Sequence, residues 1–146
     1  MTHGSAGMLL LVALAASAPA GAVIRPVSDV AGLQAALAAA DPGDEIVLAA
    51  GSYLVESNLN VTRSGTPGAP IRLRAATAHA ALLRFDTVEG FRVAASDWRF
   101  EDLSIQGECG SDDFCEHAFY LLSAADRTVL RNNRVRDFNA PVKGNG

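Results

Sequence analysis

The sequence predicts an all-β protein, a β-solenoid that begins with one short capping helix. Apolar or alternating segments of about three to five residues recur every 8–12 residues or so, separated by Gly, Pro, Asn, Asp or Ser. Two stretches, residues 96–107 and 126–138, also match each other at an offset of thirty residues. A repeat of that length containing several short strands is typical of one solenoid coil.

The composition is that of one modest domain. The chain has 146 residues, of which 49% are hydrophobic and 19% charged, with a net charge of −4. Its eleven Arg and single Lys are interspersed with acidic residues. An acidic domain without a basic stripe argues against binding to nucleic acid.

Residues 1–22 are predicted to be a secretory signal peptide. The apolar run at residues 8–18 is too short for a comfortable membrane span, and Ala20-Gly21-Ala22 fits the small-x-small cleavage pattern. Cleavage would leave residues 23–146 with no membrane span, in the medium, the periplasm or at the cell surface. The first seven residues lack Lys and Arg, which leaves an uncleaved anchor or a misplaced start codon as alternatives.

The helix is predicted near residue 30. Residues at helical spacing are apolar: Val30, Leu33, Leu37 and Ala40. Ser28 or Asp29 can cap the first turn, and the helix must end before Pro42. Pro42-Gly43-Asp44 then turns the chain into a strand at residues 46–48. We expect the helix to cover the open end of the first coil.

Short strands follow in order. Residues 23–27 form an extended lead-in, and further strands are predicted at residues 59–61, 71–74, 82–85, 91–93, 98–100, 103–105, 118–122, 129–130 and at Val135 and Val142. Residues 51–53 are predicted to be a corner, and residues 86–90 a turn. The thirty-residue repeat aligns Phe100 with Leu130, Asp102 with Asn132, and Ile105 with Val135.

The two cysteines predict a disulfide. Cys109 and Cys115 lie in a polar loop, residues 107–116, that looks like an insertion at a coil corner. An even cysteine count in an exported protein favours a bridge between them. A metal pair with His117 is the alternative, although the spacing is not CxxC.

Asparagines at a predicted corner have two interpretations. Asn132 and Asn133 can stack on equivalent turns and hydrogen-bond from coil to coil, since stacked strands lie about 4.8 Å apart. They can equally form a plain exposed turn, where Asn is common.

These motifs resemble a known group. The motifs are Pro42-Gly43-Asp44, Ile46, Leu48, Gly51 and Tyr53, the stretch at residues 65–75, and Trp98-Arg99-Phe100. They are similar to the first coils of right-handed parallel β-helix proteins around chondroitinase B and the alginate lyases, the polysaccharide lyase family 6-like group. The resemblance spans most of residues 28–143. It implies the fold more than the activity, because the matching residues belong to corners and core.

The resemblance also implies a chemistry. In such lyases a metal ion, usually Ca²⁺, offsets the carboxylate charge of a uronate, a Lys removes the proton α to it, and an Arg assists the leaving side. Family members place these residues in central coils, beyond the first four or five. No catalytic residue is therefore assigned, and we expect this chain to be an N-terminal portion, a fragment or truncated reading frame that alone lacks the catalytic residues.

Local candidates for carbohydrate binding lie near the end of the chain. Lys143 is predicted to point outward from its strand, with Asn139 and Asn145 nearby. It would contact a saccharide or, less readily, act as a base, and the alternative is a solvated lysine.

Other polar residues have two interpretations each. An acidic loop of Glu108, Asp112, Asp113 and Glu116 could hold Ca²⁺ or be a solvated loop pinned by the disulfide. Arg72, Arg74, Arg92 and Arg99 could form a ladder for acidic polysaccharide, whereas Glu101 and Asp102 favour surface pairing. His117 is interpreted as structural, and His79 has no partner evident in the sequence.

The function predicted is that of a secreted β-helix protein of carbohydrate-active type, acting on or binding acidic polysaccharide. The alternative is a non-catalytic glycan-binding or structural surface module, or an inactive truncated fragment. An open stacking edge at the last coil would invite self-association.

Overall fold

The computed structural model describes residues 21–111 and 113–145, and within them the chain forms one helix and thirteen strands. The predicted signal peptide lies almost entirely outside the described residues, as does Asp112. Within that described part, no helix is both long and apolar enough to cross a membrane. The elements are β1 (Ile24–Val27), α1 (Val30–Ala39), β2 (Glu45–Leu48), β3 (Gly51–Val55), β4 (Leu59–Val61), β5 (Ile71–Ala75), β6 (Ala81–Phe85), β7 (Glu89–Val93), β8 (Trp98–Glu101), β9 (Ser104–Gly107), β10 (His117–Leu121), β11 (Val129–Arg131), β12 (Arg134–Arg136) and β13 (Ala140–Gly144).

The strands form three parallel sheets that run along a β-helix of about four coils. The orders are β1-β2-β5-β8-β11, β3-β6-β9-β12 and β4-β7-β10-β13. From β2 onward each strand pairs with the third strand after it, its equivalent in the next coil, and β1 pairs with β2. All pairs are parallel. The predicted solenoid with its capping helix is confirmed.

Inward residues of successive coils stack to form the core. Strands such as β5 and β6 alternate buried and half-buried residues, as expected of a strand with one face on a core. Phe91 and Phe119 are register partners in neighbouring coils, and their rings stack with centroids 5.1 Å apart. Trp98 is fully buried and donates its ring N–H to the Arg63 carbonyl at 2.6 Å.

Helix α1 covers the first coil. It packs on β1, β2, β3 and β4 and buries Leu33 and Leu37. Of the two predicted caps, Asp29 takes the role, since its carboxylate accepts from the Gly32 N–H at 2.6 Å. The helix ends at Ala39, and Ala40 is its buried C-cap.

Asp44 of the Pro-Gly-Asp turn fastens this capped end. Its buried carboxylate accepts from the Val23 N–H at 2.8 Å, the Asp41 N–H at 3.0 Å and the Arg25 guanidinium at 2.7 Å. Burial raises the pKa of Asp44, but these hydrogen bonds and the charge of Arg25 outweigh it and leave the pKa lowered. The aspartate of the motif is therefore structural.

The thirty-residue repeat has the predicted alignment. Leu130 pairs with Phe100, and Val135 pairs with Ile105. Asp102 and Asn132 both have positive φ, 62° and 51°, as the stacked corners require, and the Asn132 amide donates to the Asp102 carboxylate at 2.6 Å. Asn133 donates to the Phe100 carbonyl and accepts from the Leu103 N–H. Of the two interpretations of these asparagines, bonding between coils is the one observed.

Two local predictions are wrong. Residues 51–55 form strand β3 rather than a corner, with Tyr53 buried and its hydroxyl donating to the Ala49 carbonyl at 2.8 Å. Gly51 and Ser52 only resemble a turn, because they occupy the exposed start of that strand. Strand β7 likewise begins at Glu89, inside the predicted turn.

Candidate functional site

A row of polar side chains crosses the sheet β4-β7-β10-β13. Asn60 pairs with Arg92, Arg92 with Tyr120, and Tyr120 with Lys143, so the four lie side by side in consecutive coils. At about 4.8 Å between strands, the row spans roughly 14 Å. We call these four residues the cation–tyrosine stripe.

The stripe holds an aromatic ring between two cations. The Lys143 ammonium lies 5.1 Å from the centre of the Tyr120 ring, and the Arg92 guanidinium carbon lies 5.8 Å from it. Both distances are within the range of a cation–π contact. Neither cation forms an ion pair with a carboxylate within residues 21–111 and 113–145.

The predicted saccharide-binding residues divide between two places. Lys143 belongs to the stripe, and the Asn145 amide donates to the Tyr120 hydroxyl at 2.6 Å. Asn139 lies just before β13, where its amide donates to the Glu116 carboxylate at 3.2 Å. Lys143 and Asn145 are thus brought together around Tyr120, a residue that the sequence had not singled out. Asn139 lies apart from them, at the start of β13.

A histidine–glutamate pair adjoins the stripe. His117 Nδ1 lies 3.0 Å and 3.2 Å from the two carboxylate oxygens of Glu89, and the side chains are only 15% and 13% exposed. The His117 ring centre lies 6.2 Å from that of Tyr120. The sequence had suggested a structural role for His117, with a metal pair with the cysteines as the alternative. Its pairing with Glu89 depends on coil register, which the sequence pattern did not reveal.

A groove continues the stripe toward the N-terminal cap. It lies between α1 and β4, has a volume of about 510 Å³, and borders Asn60. Its polar lining is supplied by Gln34, Ser57, Asn58, Asn60 and Thr62. Amide and hydroxyl groups of this kind can exchange hydrogen bonds with sugar hydroxyls.

The remaining arginines considered above are mostly paired. Arg72 donates to Glu101 at 2.6 Å, and Arg74 forms an ion pair with Glu45. Pairing with carboxylates therefore describes these two better than a polysaccharide ladder. Arg99 lies exposed on β8, on a different sheet from the stripe.

His79 has a structural environment. Its ring Nε2 lies 2.7 Å from the Asn132 carbonyl oxygen, and its backbone N–H donates to the Asp102 carbonyl at 2.7 Å. With φ at 62°, His79 is a third residue of the stacked corner formed by Asp102 and Asn132.

A disulfide and an ion pair hold the described part of the cysteine loop. Cys109 and Cys115 form the predicted disulfide, which removes the alternative of a metal pair with His117. Both carboxylate oxygens of Glu108 accept from Arg84, at 2.6 and 2.5 Å, and this pairing lowers the Glu108 pKa. Across the described residues, no three His, Cys, Asp or Glu side chains come together as a metal site would require.

Comparison with known proteins identifies the fold. No family model and no curated protein sequence matches the chain. An alginate lyase from Paenibacillus sp. str. FPU-7 superposes with a TM-score of 0.59 and 22% identity, over 76% of this chain and 44% of that one. PL6 family alginate lyase AlyGC gives 0.54 and 20%, over 82% and 15%.

A third solved structure, a mannuronic acid specific polysaccharide family 6 lyase from human gut microbiota, gives a TM-score of 0.51 and 17% identity, over 77% of this chain and 25% of that one. The chain thus spans less than half the length of each of these lyases. The resemblance predicted from the corner and core motifs is confirmed at the level of the fold: this chain has the parallel β-helix fold of PL6-type alginate lyases.

Proposed function

We propose that this chain belongs to a secreted, carbohydrate-active β-helix protein and that it binds acidic polysaccharide along the cation–tyrosine stripe. The observation that supports this most is the position of Tyr120 between Arg92 and Lys143, with no carboxylate paired to either cation in the described residues. Two cations on β7 and β13, the strands on either side of β10, are complementary to a polymer that carries repeated negative charges.

The chemistry of the stripe suits an acidic sugar. The Tyr120 ring lies between the two cations, and a uronate carboxylate accepts charge-assisted hydrogen bonds from Arg92 or Lys143. Asn60, Asn145 and the groove beside α1 supply amides and hydroxyls for neutral sugar hydroxyls. The polymer would therefore run along the solenoid axis, across strands β13, β10, β7 and β4.

The comparisons give independent support. The solved structures that share this fold are described as alginate lyases, one of them specific for mannuronic acid, which is a uronate. A disulfide between Cys109 and Cys115 fits a protein that is exported to an oxidising compartment.

Alginate binding by single-charge variants tests this proposal. Lys143→Ala and Arg92→Ala should each weaken binding of the 146-residue chain to sodium alginate roughly 5- to 10-fold, the equivalent of about 1 to 1.4 kcal/mol. Binding should also weaken as salt is added, because charged contacts are screened. Isothermal titration calorimetry measures both effects.

Arg99→Ala is the matched control, because it removes one exposed cation from a different sheet. It should leave the alginate affinity within about 2-fold of the parent chain. Equal losses in Arg99→Ala and Lys143→Ala would show that net charge rather than the stripe governs binding. No detectable binding by the parent chain would refute the proposal.

A further inference from the structure

The backbone nitrogen of Val23 contacts a buried carboxylate at the capped end of the solenoid. Its N–H donates to Oδ1 of Asp44 at 2.8 Å, and Asp44 is only 2% exposed. The Val23 carbonyl accepts from the Glu45 N–H at 2.9 Å, which fixes this nitrogen at the start of the β1–β2 pairing. Val23 itself is 46% exposed, and Ala22 before it is exposed as well. The Ala22–Val23 peptide bond therefore lies at the surface, while its nitrogen is held by an interior anion.

The same bond is the predicted site of signal-peptide cleavage. The small-x-small pattern at residues 20–22 predicts cleavage after Ala22, which leaves Val23 first. Every helix and strand of the described chain lies between Ile24 and Gly144, so cleavage here removes none of them. Hydrolysis breaks the C–N bond between the two residues. The oxygen of water completes a carboxylate on Ala22, and the protons of water convert the Val23 nitrogen into an ammonium group.

The two oxygens of the Asp44 carboxylate have different partners. Oδ2 accepts from the Arg25 guanidinium at 2.7 Å and 2.9 Å and from the Asp41 N–H at 3.0 Å, whereas Oδ1 accepts from Val23. Arg25 also donates to the Ala39 carbonyl at 3.1 Å, at the end of α1. The last carbonyls of a helix carry partial negative charge, so Arg25 is shared between two negative groups. A second positive charge on the Oδ1 side is therefore favourable.

We propose that cleavage after Ala22 creates a Val23 ammonium that forms an ion pair with Asp44, so that removal of the signal peptide stabilises the capped end of the β-helix. The hydrogen bond already present becomes charge-assisted, and the chain does not have to rearrange. The remaining hydrogens of the ammonium can meet water, because Val23 is exposed. This inference rests on the export that the proposed function includes, and not on polysaccharide binding.

The other charged groups around this end have partners of their own. Glu45, next to Asp44, pairs with two arginines of β5, and Asp41 pairs with Arg63. Helix α1 carries no charged residue. Among the described residues, Asp44 is thus the carboxylate that holds the Val23 nitrogen, and Arg25 is the cation that shares it.

Urea unfolding at pH 7 of two chains that differ by one residue tests the ion pair. One chain begins at Val23 and the other at Ala22, each released from a fusion by a protease that leaves no extra residue. Both carry one free ammonium and the same net charge, but in the longer chain the Val23 nitrogen remains an amide. The chain that begins at Val23 should have an unfolding equilibrium constant roughly 10-fold smaller, the equivalent of about 1.4 kcal/mol. The chain that begins at Ala22 should match the 146-residue chain within about 2-fold.

The pH dependence of that difference identifies the group responsible. An α-amino group has an ordinary pKa of about 7.7–8.0, and a carboxylate partner favours its charged form. The difference between the two chains should therefore be complete below about pH 7 and disappear as the pH rises toward about 10. With Asp44→Asn in both chains, the difference at pH 7 should also disappear. The pH series keeps Asp44 in place, so it decides the question even where Asp44→Asn does not fold.

The bond that is cleaved has its own test. Digestion of the 146-residue chain by a bacterial signal peptidase in detergent, followed by mass spectrometry, should release a chain that begins at Val23. Release at another bond, or no release, would refute the processing site. Equal stability of the two chains, or a difference that persists at about pH 10, would refute the ion pair.

Alginate titration separates this inference from the proposed function. Strand β1 and the cation–tyrosine stripe lie on different sheets, so the chains that begin at Val23 and Ala22 should bind alginate with affinities within about 2-fold of each other. Loss of the stability difference would then refute the ion pair and leave polysaccharide binding intact. Absence of alginate binding in both chains would refute the proposed function and leave the ion pair intact.

Discussion

Glu101 is a buried carboxylate shared by two arginines, so its contribution to the free energy of unfolding can be measured by substitution. It is 1% exposed and accepts from Arg72 at 2.6 Å and from Arg131 at 3.0 Å, one in the preceding coil and one in the next. Glu101→Ala should lower the free energy of unfolding by about 2 kcal/mol, because it removes the shared acceptor and leaves a gap in a packed strand. Urea denaturation measures the change.

Arg131→Ala supplies the comparison for that variant. Its side chain is 63% exposed, so water can replace the lost contact and the expected change is below about 1 kcal/mol. If both variants lost the same stability, the exposed ion pair with Arg131, and not the burial of the Glu101 carboxylate, would account for the change in the free energy of unfolding.

Single residues of the site were predictable only in part from the sequence. Lys143 could be found because it is a polar residue at an outward position of a predicted strand, and Asn145 because it lies two residues further along the chain. Tyr120 could not, because its neighbours come from other coils, and coil length varies. Tyr120 lies 28 residues after Arg92 and 23 before Lys143 along the chain, so no fixed period aligns them.

Coil stacking at the element scale depends on glycines that allow close approach. A Cβ placed on Gly107 of β9 would lie 2.0 Å from the Asp137 carbonyl oxygen and 2.7 Å from Cys115 Sγ. Gly107→Ala should therefore destabilise the protein by about 2 kcal/mol or more, since backbone of the next coil must move. Thermal melting followed by circular dichroism records this as a lower midpoint.

Gly110 lies in the same loop region and gives the matched control. A Cβ there would have nothing within 4 Å, so Gly110→Ala should leave the melting midpoint nearly unchanged. A similar loss in both variants would indicate a general effect of alanine in the loop rather than a clash between coils.

The elements themselves were largely predictable, for a physical reason. Strands with one buried face alternate apolar and polar residues, and this pattern identified β5 closely and the first two residues of β9. Strand β3 was missed because its first two residues, Gly51 and Ser52, face solvent and have the composition of a turn. Its pairing with β6, and the buried Tyr53 side chain, become evident only when the coils are stacked.

At the scale of the whole molecule, ion pairs join each coil to the next on the outside of the solenoid. Arg127 donates to both oxygens of Asp97 at 2.7 and 2.8 Å, and Arg84 does the same for Glu108. Each pair lowers the pKa of its carboxyl group, chiefly through the hydrogen bonds from the guanidinium. The core stacks apolar residues along the axis, and these pairs link the same coils at the surface.

The stability of the β-helix should consequently fall in acid. A carboxyl group whose pKa is lowered by folding binds its proton more weakly in the native state than in the unfolded chain, so stability rises with pH across its titration. The ordinary pKa values of Asp97 and Glu108 are 3.8 and 4.5, so their contribution to stability should be complete above about pH 5 and lost progressively as the pH falls through the lowered native pKa values.

Asp97→Asn should reduce stability near neutral pH and flatten this acid dependence, whereas Asp113→Asn, in the exposed cysteine loop, serves as the charge-matched control. Urea midpoints measured from pH 7 to pH 3 test the prediction, and an equally steep acid dependence in Asp97→Asn would show that other carboxylates govern the acid stability of this solenoid.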